Sequence, residues 1–265
     1  MSNGQWKDHF SGHAASYAEF RPRYPDALFS WLADNAPARR VAWDAATGNG
    51  QAAVGLARHF ERVIATDASR QQIANAVRPR IPYPVSPISY PVSRISYVVS
   101  SAESSGLPAS SVELVTVAQA LHWLDPAGFF EEAKRVLVPG GLVAVWTYVE
   151  PALDDPALDA VLQEFAGAMR PWWPPERAIT ETGYRGVAFP FREIEAPAFE
   201  MSMVVTKESL AGYLRTWSAT RRHIAARGSD PVDDLEKRLA AVWPDGARKK
   251  LSWAFHLRAG WSPGL

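Results

Sequence analysis

Residues 41–50 read VAWDAATGNG, an apolar run that ends in Asp44 and passes into a turn of small residues, Ala45, Thr47, Gly48 and Gly50. A second apolar run, RVIATD, closes on Asp67, 23 positions after Asp44. A strand that stops at a glycine turn before a helix leaves backbone N–H groups unpaired and lets a ligand approach the main chain closely. An acid at the end of the next strand can accept both hydroxyls of a ribose. The pair reads as a site for an adenosine-containing cofactor. Each half also has a plainer reading: the glycines make a tight strand-to-helix connection, and Asp67 caps the following helix.

The turn departs from the dinucleotide fingerprint in two respects. It places an acid, Asp44, at the strand end, and it lacks the third glycine of a pyrophosphate-binding helix start. An acid there suits a cationic ligand better than a diphosphate. S-adenosylmethionine has a ribose, an ammonium group and a sulfonium, and no phosphate. The chain contains no cysteine, which removes disulfides, thiolate nucleophiles and the ligands of the iron–sulfur cluster that radical use of this cofactor requires. Its use must then be polar.

These residues need a sheet to hold them, and the hydrophobic pattern supplies one. Strands are expected at 41–44, 62–66, 95–99, 112–117 and 142–147, with helices at 50–59, 69–77 and 126–136. Alternation at this spacing means an α/β fold, a doubly wound, mostly parallel sheet with helices on both faces. Ahead of it, residues 1–36 form an N-terminal helical lead-in, helical in two pieces and broken at Arg21–Pro25 by Pro22 and Pro25. Residues 37–150 are the cofactor-binding core. Residues 151–265 complete the sheet, with strands inside 190–205 and at 251–261 and helical insertions at 207–226 and 231–243. RPWWPPER (170–177) is too rich in proline for regular structure and reads as a wall of the site. One domain over 1–265 is the expectation.

Residues 80–100 are three tandem heptapeptides, RIPYPVS, PISYPVS and RISYVVS. Prolines in the first two would break a strand ladder. The third is free of proline and is assigned to the sheet at 95–99, leaving 80–93 as an exposed flap.

The formal charge is zero, from 28 basic and 28 acidic residues, and 47% of the chain is apolar. No basic surplus points to nucleic acid, and none is expected as a partner. The opening residues lack an apolar signal core and no run approaches the length of a membrane span, so a cytoplasmic protein without membrane attachment is expected. No metal site is expected. Eleven tryptophans are many for this length and hint at an aromatic pocket, although core packing accounts for most of such residues.

Several stretches occur in order: FSGHAASYAEFRPRYP, DAATGNG, ATDAS, SAESSGLPASSVELVTVAQALHWLD, EAKRVLVPGGLVAVW and YLRTWSA. Together they resemble the class I S-adenosylmethionine-dependent methyltransferases, and within them the small-molecule group similar to trans-aconitate methyltransferase. The resemblance spans the chain apart from the heptapeptide repeat. It implies a Rossmann-like, seven-stranded sheet with an antiparallel last strand, S-adenosylmethionine as cofactor, S-adenosylhomocysteine as product, and a small-molecule acceptor, with O-methylation of a carboxylate as the reaction. By position, it implies that Asp44 to Gly50 wrap the methionine part of the cofactor, with Asp44 toward its ammonium. Asp67 would take the ribose, Ala68 would lie against the adenine, and Ala102 and Glu103 would meet the adenine edge, although many class members carry an acid at the Ser101 position. Gln119 and Ala120 would lie near the sulfonium.

A carboxylate acceptor is already ionised near neutral pH and needs arginine and tyrosine more than a base. The candidates are Tyr17, Arg21 and Tyr24 in the lead-in, His122 and Trp123 beyond the fourth strand, and Trp146 and Tyr148 at the end of the fifth, with Trp172, Trp173 and Trp217 as further walls. Tyr17 and Arg21 join His122 as candidate catalytic residues. His122 is either a general base for an acceptor that must lose a proton or a hydrogen-bonded structural histidine. Two other readings stay open here: a nicotinamide-dependent oxidoreductase on a similar sheet, and a non-catalytic adenosine-binding or scaffold protein. Monomer and homodimer are equally compatible with the sequence.

Overall fold

The structure, a computed structural model, describes residues 20–76 and 92–263. The first half runs α1 (Asp26–Asn35), β1 (Val41–Ala45), α2 (Gln51–Leu56), β2 (Arg62–Asp67), α3 (Arg70–Ala76), β3 (Ile95–Val99), β4 (Val112–Ala118), α4 (Pro126–Val136) and β5 (Leu137–Leu153). The second half runs α5 (Pro156–Met169), α6 (Ala178–Glu181), β6 (Arg192–Ile194), β7 (Met201–Val205), α7 (Lys207–Arg215), α8 (Ser218–Arg227), α9 (Val232–Ala240) and β8 (Lys249–Trp261). Among the described residues no helix is long and apolar enough to cross a membrane.

The strands form one sheet in the order β3-β2-β1-β4-β5-β8-β6, with β7 also paired to β8. Pairings among β1 to β5 are parallel, and β8 runs antiparallel to β5, β6 and β7. The alternation expected from the sequence is therefore present, but with eight strands in place of seven. The cause lies between Ile194 and Met201, where Pro197 has no N–H to offer a ladder. One edge of β8 is covered in two pieces, β6 against residues 259–261 and β7 against residues 249–253.

Period-two alternation sorts the central strands onto two buried faces. On one face Ala42, Leu114, Leu142, Ala144 and Trp146 pack with Leu28, Phe29 and Leu32 of α1 and Leu56 of α2. On the other, Trp43, Val115, Val117, Val143 and Val145 meet Phe129, Phe130 and Val136 of α4. A third cluster joins α5, α7 and α9 to the far ends of β5, β7 and β8 through Leu162, Leu210, Leu235, Leu251 and Trp253.

Some boundaries differ from the sequence reading. The helix expected over 207–226 is two, α7 and α8, because Trp217 is extended (φ −65°, ψ 137°) and the hydroxyls of Thr216 and Thr220 take up the carbonyls of Tyr213 and Leu214. β5 exceeds the expected 142–147 because β8 pairs with it as far as Leu153. α2 stops at Leu56, short of residue 59. RPWWPPER holds two short 3-10 turns, Arg170–Trp172 and Pro175–Arg177, each with proline at its start. The third heptapeptide supplies β3 as expected; residues 80–91 of the flap and 5–19 of the lead-in lie outside the described residues.

One buried acid fixes the loop between β3 and β4. The Glu132 carboxylate on α4 accepts the Ser105 N–H (2.8 Å) and Oγ–H (2.5 Å) and is held by Arg135 at 2.7 Å, while Arg135 also donates to the Leu107 carbonyl. The Arg135 guanidinium foremost, with the Ser105 bonds, holds the Glu132 carboxyl down at about 2 against an ordinary value of 4.5. A lowered carboxyl pKa contributes stability above the unfolded value and loses it as pH falls toward the folded one. Glu132→Gln is therefore expected to cost roughly 2 kcal/mol at pH 7, with the deficit shrinking as pH falls from about 4.5 toward 2. Urea denaturation of both proteins at pH 7 and pH 3 checks this; a gap that does not change with pH contradicts it.

Candidate functional site

The sheet order reverses between β1 and β4, so the loops leaving their carboxyl ends diverge and open a crevice. Backbone strain marks the same place. Ala46 (φ 52°) after β1 and Gln119 (φ 54°) after β4 are both left-handed without being glycine, and both line the cavity that fills the crevice. Gly50 is left-handed too (φ 81°), and a Cβ there would lie 2.6 Å from the Tyr97 hydroxyl, so that close approach excludes any side chain.

The cavity measures about 660 Å³, within the range of small-molecule sites. Its wall includes Thr47, Gly48, Asp67 and Ala68 from the first two strand ends, and Ala102, Glu103, Gln119 and Ala120 from the next two. The Asp67 carboxylate accepts the Gly48 N–H at 2.9 Å on one oxygen and the Ser69 N–H at 2.8 Å on the other. Asn49, Gln51 and Gln72, which the sequence reading did not single out, also line this cavity. Gln51 Nε2 donates to the Pro22 carbonyl at 3.1 Å and so ties the lead-in across the loop.

Three expected cofactor residues lie behind the wall. Asp44 is fully buried and accepts Thr47 Oγ1 at 2.5 Å and Thr116 Oγ1 at 2.8 Å. Burial foremost pushes its carboxyl up to about 6. Asp44 thus shapes the turn through Thr47 and does not reach the cavity directly. Ala45 is fully buried beside it, and Gly50 acts through backbone conformation.

Two side chains are engaged differently from expectation. Gln119 turns toward β5, where Oε1 accepts Thr147 Oγ1 (2.6 Å) and the Tyr148 N–H (2.9 Å), and Nε2 donates to the Tyr148 carbonyl (3.0 Å). Only the rest of that residue faces the cavity. Glu103 accepts the Asp125 N–H at 3.0 Å and is hydrogen-bonded to the Ser101 hydroxyl, so the carboxylate spans its own turn.

A smaller chamber of about 60 Å³ adjoins the first, and Arg21, Gln119, Trp123 and Tyr148 line both. Arg21 donates to the Tyr148 hydroxyl at 3.0 Å and to the Thr216 carbonyl at 3.5 Å, and its guanidinium carbon lies 5.7 Å from the centre of the Tyr213 ring. His122, Trp173 and Trp217 complete the set of expected residues gathered there. Tyr213, Glu150 and Arg177 line it as well and were missed. Arg177 was legible only as the last residue of RPWWPPER, since nothing local shows which way that segment folds.

His122 is buried, and its Nδ1 lies 3.0 Å from the Tyr184 hydroxyl. Burial and, after it, the Arg177 charge lower the imidazole to about 3. It is neutral and a poor proton acceptor, which sets the structural reading above the general base. Trp146 is a correction of another kind. It shares a face with Tyr148, but two residues earlier along β5 it is fully buried, with Tyr24 packed edge-on at 5.4 Å. Tyr24 itself lines the large cavity. Trp172 turns away from its neighbour Trp173 and lies edge-on to His223 at 4.9 Å, outside both cavities. Tyr17 lies outside the described residues.

Comparison with known proteins agrees with this geometry. A methyltransferase-domain pattern matches residues 43–145, from β1 into the middle of β5. A solved structure of a protein named as a type II methyltransferase, from Anaeromyxobacter dehalogenans, is 41% identical, covers 93% of this chain and 100% of its own, and superposes with a TM-score of 0.81. A protein named as a methyltransferase in Dictyostelium discoideum is 29% identical over 95% of this chain and 93% of its own length. An uncharacterised methyltransferase of Mycobacterium tuberculosis is 35% identical over 52% of this chain and 51% of its own. With a strand-end acid that holds the glycine turn, a cavity at the sheet's switch point and a relative matching along nearly the whole chain, the protein belongs to the class I S-adenosylmethionine-dependent methyltransferases.

Proposed function

We propose that this methyltransferase acts on a small-molecule carboxylate, forming a methyl ester, with the large cavity holding the cofactor and the small chamber the acceptor. The observation that carries this reading is the chemistry of the chamber wall. Two arginines, Arg21 and Arg177, line it, while its imidazole, His122, is lowered to about 3. Such a wall favours an acceptor that arrives ionised over a phenol or ammonium that must first lose a proton.

S-adenosylmethionine, when bound, supplies an electrophilic methyl group. The chain's own residues would do the rest. Asp67 would take the ribose hydroxyls, and the Ala46–Gly48 turn would receive the amino-acid end, with Asp44 setting its shape from below. Arg21 and Tyr148, on the boundary between the two spaces, would align the acceptor oxygen, and the aromatic walls would keep water out. Alignment alone can account for about 7–11 kcal/mol of barrier.

Asp67→Ala removes the acceptor for the Gly48 and Ser69 N–H groups and for the ribose. Calorimetry is expected to show cofactor binding weakened by about a hundredfold or more, with the fold intact by circular dichroism. Arg21→Ala is expected to leave cofactor affinity within about threefold while ester formation falls by roughly ten- to a hundredfold; unchanged turnover would sink the carboxylate reading.

Asp44 gives a pH test of the ligand-free protein. An acid raised above its ordinary 3.8 to about 6 costs stability when ionised, so the cost is absent below about 4 and grows as pH rises through 6. Relative to Asp44→Asn, the wild type should lose on the order of 1–3 kcal/mol between pH 4 and pH 8. Urea midpoints of both proteins at those two values decide it, and a gap that is the same at both contradicts the raised carboxyl.

A further inference from the structure

We infer that Gln51 takes the ammonium of the cofactor's amino-acid end, and that the same amide couples cofactor binding to closure of the lead-in over the site. The inference rests on the large cavity holding the cofactor, as proposed above, and does not depend on which acceptor is methylated. An ammonium group has donors only and needs acceptors around it. Asp44, the acid expected to face it, cannot serve. It is fully buried, and its two oxygens take the hydroxyls of Thr47 and Thr116.

A neutral acceptor stands where that acid is missing. Gln51 lines the cavity together with Thr47 and Gly48 of the glycine turn. Its Nε2 donates to the Pro22 carbonyl at 3.1 Å, whereas its Oε1 is buried and has no hydrogen-bond partner among the described residues. The bond to Pro22 fixes the sense of the amide, because the flipped form would set oxygen against oxygen. A buried acceptor left without a donor is costly, and an ammonium is a donor it can take. In the ligand-free chain Oε1 is covered; reaching the ammonium takes a turn about the outermost side-chain torsion, which is broad in glutamine.

Among the described residues, three acids also line the cavity, Asp67, Glu103 and Glu176. Asp67 holds the Gly48 and Ser69 N–H groups, and Glu103 spans its own turn. Glu176, on the proline-rich segment, is the competitor the test has to separate from Gln51.

The coupling follows from the segment to which Pro22 belongs. Arg21 and Tyr24 on either side of it line the cavity. At one end Phe20 packs against α7, where a Cβ on Gly212 would lie 2.8 Å from its ring, and Arg21 donates to the Tyr148 hydroxyl. Gln51 holds the segment from the side of the glycine turn. Closing it over an empty site buries an oxygen without a donor, and closing it over the ammonium does not. Cofactor binding therefore favours the closed segment, which brings Arg21 and Tyr24 to the wall. Gln51 is a binding residue for the cofactor and a positioning residue for the lead-in.

The test is calorimetry on the full chain with S-adenosylhomocysteine and its analogue lacking the amino group. Wild type is expected to prefer the complete ligand by about thirtyfold or more. Gln51→Met keeps the length and loses the amide; it should shrink that preference by about tenfold, and Glu176→Gln should leave it unchanged. A variant that only loosens the turn weakens both ligands together and spares the ratio. Gln51→Glu keeps an oxygen and loses the donor to Pro22. It should hold the preference at or above the wild-type value, while S-adenosylhomocysteine, which slows tryptic cleavage after Arg23 in the wild type, no longer does so. Should Gln51→Met fail to fold, the two readouts on Gln51→Glu decide. A preference untouched by Gln51→Met, lost in Gln51→Glu or lost in Glu176→Gln overturns the inference, and so does equal protection of Arg23 by both ligands in the wild type. Asp67→Ala should weaken both ligands alike, since both carry the ribose; if it weakens neither, the placement of the cofactor falls too.

Discussion

The bond from the Gly48 N–H to the Asp67 carboxylate is the interaction on which the site turns. It joins the loop after β1 to the end of β2, and the second carboxylate oxygen takes the Ser69 N–H that opens the next helix. Thr47 reinforces the join by donating its N–H to the Thr66 carbonyl at 2.8 Å. The loop backbone is thereby held in left-handed conformations at Ala46, Gly48 and Gly50 that it would not keep by itself. The same acid holds the loop and lines the cavity above it. Removing it would release the local contacts of the turn while the sheet stays folded.

Around that floor, the parts differ in how rigidly they are placed. Residues in or just beyond paired strands, such as Asp67, Gln119 and Tyr148, inherit their positions from ladder hydrogen bonds. Gln119 carries this further, since its side chain clasps the backbone of Tyr148 across two parallel strands. The Tyr148 hydroxyl in turn receives Arg21 from the lead-in, 127 positions away in the chain. The wall between the two cavities thus hangs on a relay from β4 to β5 to the N-terminal segment. The opposite wall of the small chamber, Trp173 and Arg177, comes from proline-bounded turns that are fixed by Glu150 and by the α7–α8 junction at Trp217.

The two acids of the opening motif illustrate how alike residues diverge. Asp67 lies at a strand end with N–H donors and an open side. Asp44 is one residue short of the end of its strand and is buried under Thr47 and Thr116. A difference of one position relative to the strand end separates the acid that lines the cavity from the acid that supports the loop. Burial beneath the rim likewise keeps Trp146 out of both cavities, while His122 lines the small chamber and is held neutral by its own burial.

Periodicity was sufficient for the strands β1 to β5 and for α4, because a strand buried on both faces and a helix with an apolar face each write a distinct repeat into the chain. Asp67, with its glycine turn, was legible because local chemistry there requires those residue types. The split of 190–205 into β6 and β7 was not, since short edge strands follow their partner β8 more than their own pattern. Neither was the inward turn of Trp173 against the outward turn of Trp172, nor the approach of Arg177 to Glu150, which lie 27 positions apart. The sequence by itself determined the parallel strands β1 to β5, the glycine turn and the acid that holds it, all set by local periodicity and backbone need. Only the tertiary structure decided which aromatic and charged side chains meet in the small chamber, because those contacts depend on the packing of segments with no repeat of their own.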